Sequence, residues 1–180
     1  MFTKLSRKLL YKQFSYRCYS NLGSPKILIT GALGQLGMGL ARSLRSKYGN
    51  EQVIASDIKK PLTEFSREGP YVHCNVLNKD NLEAIIVNNN INWVIHFSAL
   101  LSAVEEQNPL KGLDLNMNSF LNILELARVH NLRVFMPSTI GAFGPTTPRD
   151  STPDVTVMRP NTIYGITKLH CELLGEVNYL

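Results

Sequence analysis

A glycine-rich turn between a short apolar strand and a helical segment constrains the fold of this chain more than any other feature. The turn spans residues 30–37, reads TGALGQLG, and directly follows the apolar run at 26–30. Glycine tolerates tight-turn backbone angles, lets a pyrophosphate approach the main chain, and lets a helix pack closely on a strand. The helix that follows offers free N–H groups and a positive dipole end. The pattern predicts a dinucleotide-phosphate site formed by Gly31, Ala32, Leu33, Gly34, Gln35, Leu36 and Gly37.

An acidic residue, Asp57, ends the second predicted strand (52–57), about twenty residues after the turn. A carboxylate at this place accepts hydrogen bonds from the adenosine ribose and repels a 2′-phosphate, which favours NAD over NADP. Lys59 and Lys60 weaken that preference without reversing it. The alternative is a packing turn followed by a solvated acid. The cofactor-binding residues predicted here are Asp57, Ile58 and Lys59.

Strand and helix patterns alternate along residues 25–180. Apolar runs predict strands at 26–30, 52–57, 71–74, 93–97 and 133–136. Helical spacing predicts a helix with Leu36, Leu40 and Leu44 on one face, and further helices at 81–87, at 110–130 and from near Thr162. Repeated βα units with apolar strands indicate a parallel sheet covered on both faces. The predicted fold is α/β, a doubly wound (Rossmann) sheet in one dinucleotide-binding domain.

The last predicted helix carries Tyr164 and Lys168, four residues apart and therefore on one helical face. A free phenol titrates near pH 10, and we expect the adjacent ammonium to lower that value by stabilising the phenolate. A phenolate beside a hydroxyl can remove its proton while the carbon-bound hydrogen leaves as hydride to a nicotinamide. The pair alone is common on solvated helices, but behind a dinucleotide turn it indicates a catalytic site.

The chain resembles the extended short-chain dehydrogenase/reductase family in its glycine turn and its Tyr-x-x-x-Lys pair. The family's catalytic Ser/Thr follows the fifth strand, five residues before the glycine of an aromatic-Gly pair, and Thr139 occupies that position. The resemblance implies that Thr139 holds the substrate oxygen in line with Tyr164, and Ser138 is a second candidate. Tyr164 and Lys168 are implied to contact the cofactor as well.

Stretches 98–103, 143–148 and 162–165 resemble the mitochondrial threonine dehydrogenase branch of that family, within a similarity from about Lys26 to the last residue. The resemblance implies oxidation of the L-threonine side-chain hydroxyl by NAD, giving 2-amino-3-ketobutyrate. A partner ligase would cleave this product with coenzyme A to glycine and acetyl-CoA. Relatives commonly dimerise through a four-helix bundle, so the resemblance also implies a homodimer.

Further positions are implied by the same resemblance. Asn75 and Val76 correspond to a pair that meets the adenine amine, and Ala99 and Leu100 lie in a loop that borders the adenosine. Ser102 is a candidate substrate contact, although a loop-capping serine is the equal alternative. The other polar positions considered are Asn116, matching an asparagine that buttresses the active-site wall, and His73 and His96, interpreted as structural because no second ligand sits at metal spacing.

The charge of the chain is concentrated in its first residues. The formal net charge is +5, and residues 1–24 hold five basic and no acidic side chains, which leaves 14 of each sign in the remainder. This amphipathic, acid-free segment predicts an unstructured mitochondrial transit peptide over residues 1–24, cleaved after Tyr19, and matrix localisation. The alternative is a basic tail that binds anionic surfaces. We expect neither a membrane span nor a nucleic-acid partner.

The family chain continues beyond this helix with two more strands, a loop that braces the nicotinamide amide and a small substrate-closing lobe. This sequence ends at Leu180, so we expect a sheet incomplete on its C-terminal side, with the fifth strand at its edge. Three functions stay open. They are a working NAD-dependent threonine dehydrogenase, a truncated protein that at most binds NAD, and a sugar-nucleotide epimerase or dehydratase with the same catalytic residues.

Overall fold

The computed structural model of the chain describes residues 24–178, so the predicted transit peptide lies outside the described residues except for Ser24. The described part is built on a five-stranded, all-parallel sheet in the order β3-β2-β1-β4-β5. The prediction of an α/β parallel sheet is therefore confirmed. The strands are β1 Ile27–Thr30, β2 Val53–Asp57, β3 Tyr71–His73, β4 Trp93–His96 and β5 Arg133–Phe135.

Helices connect the strands and cover both faces of the sheet. They are α1 Gln35–Tyr48, α2 Thr63–Arg67, α3 Lys79–Asn88, α4 Ser102–Gln107, α5 Pro109–Leu113, α6 Ser119–His130 and α7 Ile163–Asn178. The predicted helix over 110–130 is present as one continuous helical segment, in which a π-helical turn, Asp114–Asn118, joins α5 to α6; the sequence pattern did not predict that turn. Sequence periodicity also missed the short helices α2 and α4. No helix among the described residues is long and apolar enough to cross a bilayer.

Two apolar clusters lie on opposite faces of the sheet because side chains alternate along each strand. Leu28 and Val94 belong to the cluster covered by α3, α6 and α7, whereas Ile27, Ile29 and Val53 belong to the one covered by α1 and α2. This arrangement places the carboxyl ends of all five strands along one edge, where ligands bind in open α/β sheets.

The buried face of α1 matches the predicted one in part, because Leu40 and Leu44 pack against the apolar cluster on this side of the sheet. Leu36 is exposed, and the predicted partners Leu40 and Leu44 are only partly buried. The fully buried positions of α1 are instead Gly37, Ala41 and Arg45. At Gly37 the helix starts so close to the end of β1 that a side chain would not fit, because a Cβ there would lie 2.6 Å from the Ala32 Cα.

Candidate functional site

The glycine turn (residues 31–37) is held tightly between β1, β4 and α1. Gly31 has φ +67°, and a Cβ there would lie 2.6 Å from the Ser98 nitrogen, so only glycine fits at the end of β1. A Cβ on Gly37 would lie 2.6 Å from the Ala32 Cα. These contacts fix the start of α1 at the carboxyl edge of the sheet.

The first turn of α1 presents its amide groups without a protein anion against them. Gly34 precedes the helix as its N-cap, no side chain caps the helix, and its first turn contains no acidic residue. The first amides of a helix have no carbonyl partner within the helix, and they attract anions. A Cβ on the exposed Gly34 would meet one atom within 4 Å, the Gly31 carbonyl oxygen at 3.3 Å, so the surrounding space is open. This opening fits a phosphate group.

Asp57 joins the end of β2 to the glycine turn. Its carboxylate accepts hydrogen bonds from the Leu33 amide and the Lys59 amide, each at 3.1 Å. The Tyr71 hydroxyl donates to the Asp57 carbonyl at 3.0 Å. Two backbone donors thus fix the orientation of a half-buried carboxylate at the rim of the turn, where it can accept further hydrogen bonds from ribose hydroxyls.

A cavity of about 230 Å³ adjoins this carboxylate. Its lining contains basic, apolar and acidic side chains, and the neighbouring Ile58 is exposed. The residues that line it are Leu33, Met38, Arg42, Lys59, Lys60, Leu62, Glu64 and Phe65.

The other residues predicted to border the adenosine lie in loops after β3 and β4. Val76 is buried, whereas Asn75 is exposed and accepts a hydrogen bond from the Leu77 amide at 3.1 Å. Ala99 and Leu100 are half-buried beyond the end of β4. These loops flank the glycine turn on either side, at the same edge of the sheet.

Asn116 fixes the loop after β4. Its Oδ1 accepts a hydrogen bond from the Leu100 amide at 2.8 Å and its Nδ2 donates to the Leu100 carbonyl at 3.2 Å. The same Nδ2 lies 3.5 Å from the Thr167 hydroxyl on α7. Asn116 is buried in the π-helical turn, so it links the loop beside the glycine turn to the helix that carries Tyr164. Ser102 begins α4 immediately after this loop and is half-buried.

Tyr164 and Lys168 lie on one face of α7, with the Lys168 Nζ 5.8 Å from the centre of the Tyr164 ring. Lys168 is buried, and its ammonium donates to the Pro137 carbonyl at 3.0 Å. Burial and the carboxylate of Glu105 raise the pKa of Tyr164, and burial lowers the pKa of Lys168. The expectation that the ammonium lowers the phenol pKa was therefore wrong for this structure, because desolvation and a negative charge outweigh the ammonium.

Thr139 precedes a short turn that lies against the first turn of α7. Its hydroxyl accepts a hydrogen bond from the Gly141 amide at 3.1 Å, which starts the 3-10 turn Ile140–Ala142. A Cβ on Gly165 would lie 2.1 Å from the Gly141 oxygen, so the two segments touch backbone to backbone beside Tyr164.

A cavity of about 440 Å³ opens at Thr139. Ser138, the second candidate, donates to a carboxylate oxygen of Glu172 at the edge of this cavity. The residues that line it are Ser138, Thr139, Ile140, Ala142, Phe143, Met158 and Glu172.

His96 is a buried structural side chain at the end of β4. Its Nδ1 lies 2.8 Å from the Thr30 hydroxyl and its Nε2 lies 3.1 Å from the Ser119 hydroxyl. Burial, with Lys168 nearby, lowers the pKa of His96 to about 3. His73 is exposed at the end of β3. Sequence reasoning missed Glu105, a buried acid next to α7; its only signal is a pair of acids in a segment without helical periodicity.

Comparison with known proteins identifies similar sequences over nearly all of the described residues. The sequence pattern of the NAD dependent epimerase/dehydratase family matches residues 27–177. The chain is 50% identical to a Homo sapiens protein named inactive L-threonine 3-dehydrogenase, mitochondrial, over 91% of this chain and 71% of that protein. It is 49% identical to the Sus scrofa L-threonine 3-dehydrogenase, mitochondrial, over 92% of this chain and 44% of that protein.

A solved structure of a threonine dehydrogenase is also similar to this chain in fold and sequence. The crystal structure of L-threonine dehydrogenase from Phytophthora infestans superposes with a TM-score of 0.81 at 47% identity, over 86% of this chain and 49% of that one. The chain thus spans less than half the length of two of these three relatives.

Proposed function

Because the chain belongs to the NAD-dependent epimerase/dehydratase family, we propose that it binds NAD and oxidises the side-chain hydroxyl of L-threonine to 2-amino-3-ketobutyrate. The glycine turn would hold the pyrophosphate, and Asp57 would hold the adenosine ribose. Tyr164, Lys168 and Thr139 would carry the chemistry. One observation carries the proposal. The backbone contact between Gly165 and Gly141 brings the Tyr164 segment against the Thr139 segment, beside the cavity of about 440 Å³.

The residues at the glycine turn fit NAD. The uncapped first turn of α1 offers amide donors to a pyrophosphate, and the oriented Asp57 carboxylate offers acceptors to ribose hydroxyls. NAD, when bound, supplies the nicotinamide that takes up the hydrogen leaving the substrate carbon. Asn75, Val76, Ala99 and Leu100 would complete the adenosine side of the site.

The protein's own residues would move the proton. The Thr139 hydroxyl would hold the substrate oxygen, and the Tyr164 oxygen would accept the proton of the substrate hydroxyl. The Lys168 ammonium would stabilise the phenolate form of Tyr164 that accepts this proton, for which it must turn from the Pro137 carbonyl towards the phenol. Ser102 lies at the start of α4, where it would contact the substrate.

The choice of L-threonine rests on the names of the relatives at 47–50% identity. We infer mitochondrial matrix localisation from the basic, acid-free residues 1–24 and from the word mitochondrial in two of those names. A ligase that uses coenzyme A would consume the product, and the chain would act as a homodimer. A sugar nucleotide is the alternative substrate, since related epimerases have the same Tyr-Lys pair.

A second candidate function is NAD binding without turnover. Three observations favour it. The pKa of Tyr164 is raised rather than lowered, the Lys168 ammonium faces the Pro137 carbonyl, and one of the relatives is named as inactive. In that case the glycine turn and Asp57 would still bind NAD, but Tyr164 would not act as a base.

The experiment uses the full chain with NAD and L-threonine. Calorimetry measures NAD binding, and absorbance measures NADH formation. For a working enzyme, Tyr164→Phe should lower kcat by about 10²–10⁴ while the Kd for NAD stays unchanged. Tyr48→Phe, a matched loss of a hydroxyl on α1, should change neither quantity.

Binding without turnover in the unsubstituted chain would support the second candidate. Turnover of a UDP-sugar but not of L-threonine would move the assignment to the epimerases. Absence of NAD binding would overturn all three functions.

A further inference from the structure

The carboxyl group of Glu105, which has no role in the proposed site, is buried against α7. Glu105 on α4 has 0% exposure, although the residues around it on this short helix are exposed. Its side chain occupies space that only a glycine leaves free, because a Cβ on Gly112 would lie 2.0 Å from the Glu105 Cγ. The turn between α4 and α5 is therefore shaped around this acid.

Glu105 contacts the helix that carries the proposed catalytic pair. The Thr167 hydroxyl lies 3.3 Å from Oε1 of Glu105 and 2.9 Å from the Tyr164 carbonyl oxygen. The other carboxyl oxygen, Oε2, has no hydrogen-bond partner among the described residues. Thr167 itself is buried and directly precedes Lys168, so one residue connects the acid to both members of the pair.

The titratable groups that interact with Glu105 lie on two elements, α4 and α7. On its own helix the neighbour is Glu106, and on α7 the titratable neighbours are Tyr164, Lys168 and Cys171. The π-helical turn contributes the neutral amide of Asn116. An ionised Glu105 thus attracts the ammonium and repels a phenolate, at a depth where water screens little.

We propose that Glu105 is a positioning residue for the Tyr164–Lys168 pair: it anchors the first turns of α7 through Thr167, and its charge opposes the phenolate of Tyr164. The meaning of this inference for catalysis rests on the proposed function, but the effect on Tyr164 does not. A phenol ionises at alkaline pH, where a carboxyl group is already charged, so the repulsion is present throughout the titration of Tyr164.

The decisive experiment is a tyrosine titration of the full chain, followed by the ultraviolet absorbance of phenolate. Subtracting the curve of Tyr164→Phe isolates the step that belongs to Tyr164. Glu105→Gln keeps the shape and an oxygen acceptor but removes the charge, so the Tyr164 step should move to lower pH. Glu125→Gln removes an exposed acid on α6 and should leave the step in place. An unmoved Tyr164 step in Glu105→Gln would overturn the proposal.

A second variant covers the case in which Glu105→Gln does not fold. The double variant Glu105→Ala with Gly112→Ala fills the vacated space with the new methyl group. It should move the Tyr164 step in the same direction, and a step that stays in place would again contradict the proposal. Circular dichroism of each variant establishes that the comparison is made between folded chains.

Activity supplies a separate readout. If the chain oxidises L-threonine, Glu105→Gln should raise kcat below the pH optimum by about two- to tenfold with KM unchanged, and the activity profile should shift to lower pH. If no variant turns over, the proposed function fails. The tyrosine titration still decides the role of Glu105, because it needs neither NAD nor substrate.

Discussion

Gly37 lies so close to Ala32 that a Cβ on Gly37 would come within 2.6 Å of the Ala32 Cα. Both sides of this contact are main chain, so no flexible side chain can move to relieve a clash there. The position of the start of α1, and therefore of the proposed phosphate site, requires that residue 37 has no side chain.

Gly37→Ala should lower the free energy of unfolding by roughly 1–3 kcal/mol through overpacking. It should also weaken NAD binding, because α1 must move away from β1. The matched control is Gly39→Ala, two residues later in the same helix, where a Cβ would meet nothing within 4 Å. That change should raise stability by up to about 1 kcal/mol, since alanine favours helix. Urea unfolding measures both, and equal effects of the two substitutions would refute the close-packing explanation.

Asp57→Asn should weaken NAD binding by about tenfold and reduce the discrimination against NADP. The change removes the negative charge but keeps one acceptor for the Leu33 or Lys59 amide, and hydrogen bonds to charged groups contribute about 1.5–3 kcal/mol. Calorimetry with both cofactors measures the ratio of the two dissociation constants. Asp150→Asn in an exposed loop is the control. A ratio unchanged by Asp57→Asn would show that Asp57 does not contact the ribose.

His96 should make the fold sensitive to acid. The pKa of His96 is about 3 in the folded chain against 6.5 ordinarily, so below pH 6.5 the unfolded chain binds a proton that the folded chain does not. The free energy of unfolding should fall by up to about 1.4 kcal/mol per pH unit from this residue as the pH drops. Urea unfolding between pH 7.5 and pH 5 measures the slope. His96→Gln should remove this part of it, whereas His73→Gln at an exposed position should not.

Glu105 should act on stability with the opposite sign. Burial raises the pKa of Glu105 above 4.5, so just above that pH the folded chain keeps a proton that the unfolded chain has released. The free energy of unfolding should therefore fall as the pH rises through this window. Glu105→Gln should become more stable relative to the unsubstituted chain over the same range. If the difference in free energy of unfolding between Glu105→Gln and the unsubstituted chain does not change with pH, the pKa of Glu105 is not raised by folding.

Cys74 and Cys171 should be inert in the folded protein. Both are 2% exposed, and burial raises the pKa of each thiol to about 11, so little thiolate exists at neutral pH. Iodoacetamide at pH 8 should label them only after urea is added, as peptide mass spectrometry will record. Labelling of either thiol in the native chain would show that α7 or the β3 end opens readily.

Local patterns predicted the strands and the glycine turn because each depends on a few adjacent residues. The π-helical turn before α6 could not be predicted this way. Asn116 turns inward there to bind the Leu100 backbone, a contact between residues sixteen apart that helical periodicity does not contain. The burial of Arg45 could not be predicted for the same reason, because it depends on distant residues. Its guanidinium lies 5.2 Å from the centre of the Phe65 ring and donates to the Pro70 carbonyl.

At the candidate site, the pKa of Tyr164 is the property that the sequence did not predict correctly. Its spacing from Lys168 is visible in the sequence and predicts a lowered value. The raised value depends on burial and on Glu105, which lies 59 positions earlier in the chain and reaches α7 only in the folded state. Distances along a helix can be read from sequence, whereas the electric field at a side chain depends on the whole fold.

The strand order has a consequence for synthesis on the ribosome. β1 is the earliest strand of the described sheet, yet it lies in the middle, between β2 and β4. The half formed by β1, β2 and β3 can assemble while the later residues are still being translated, and the nascent chain then exposes the open side of β1 until Trp93–His96 emerges. During that interval the open side of β1 is an unpaired edge, with which a strand of another chain can pair.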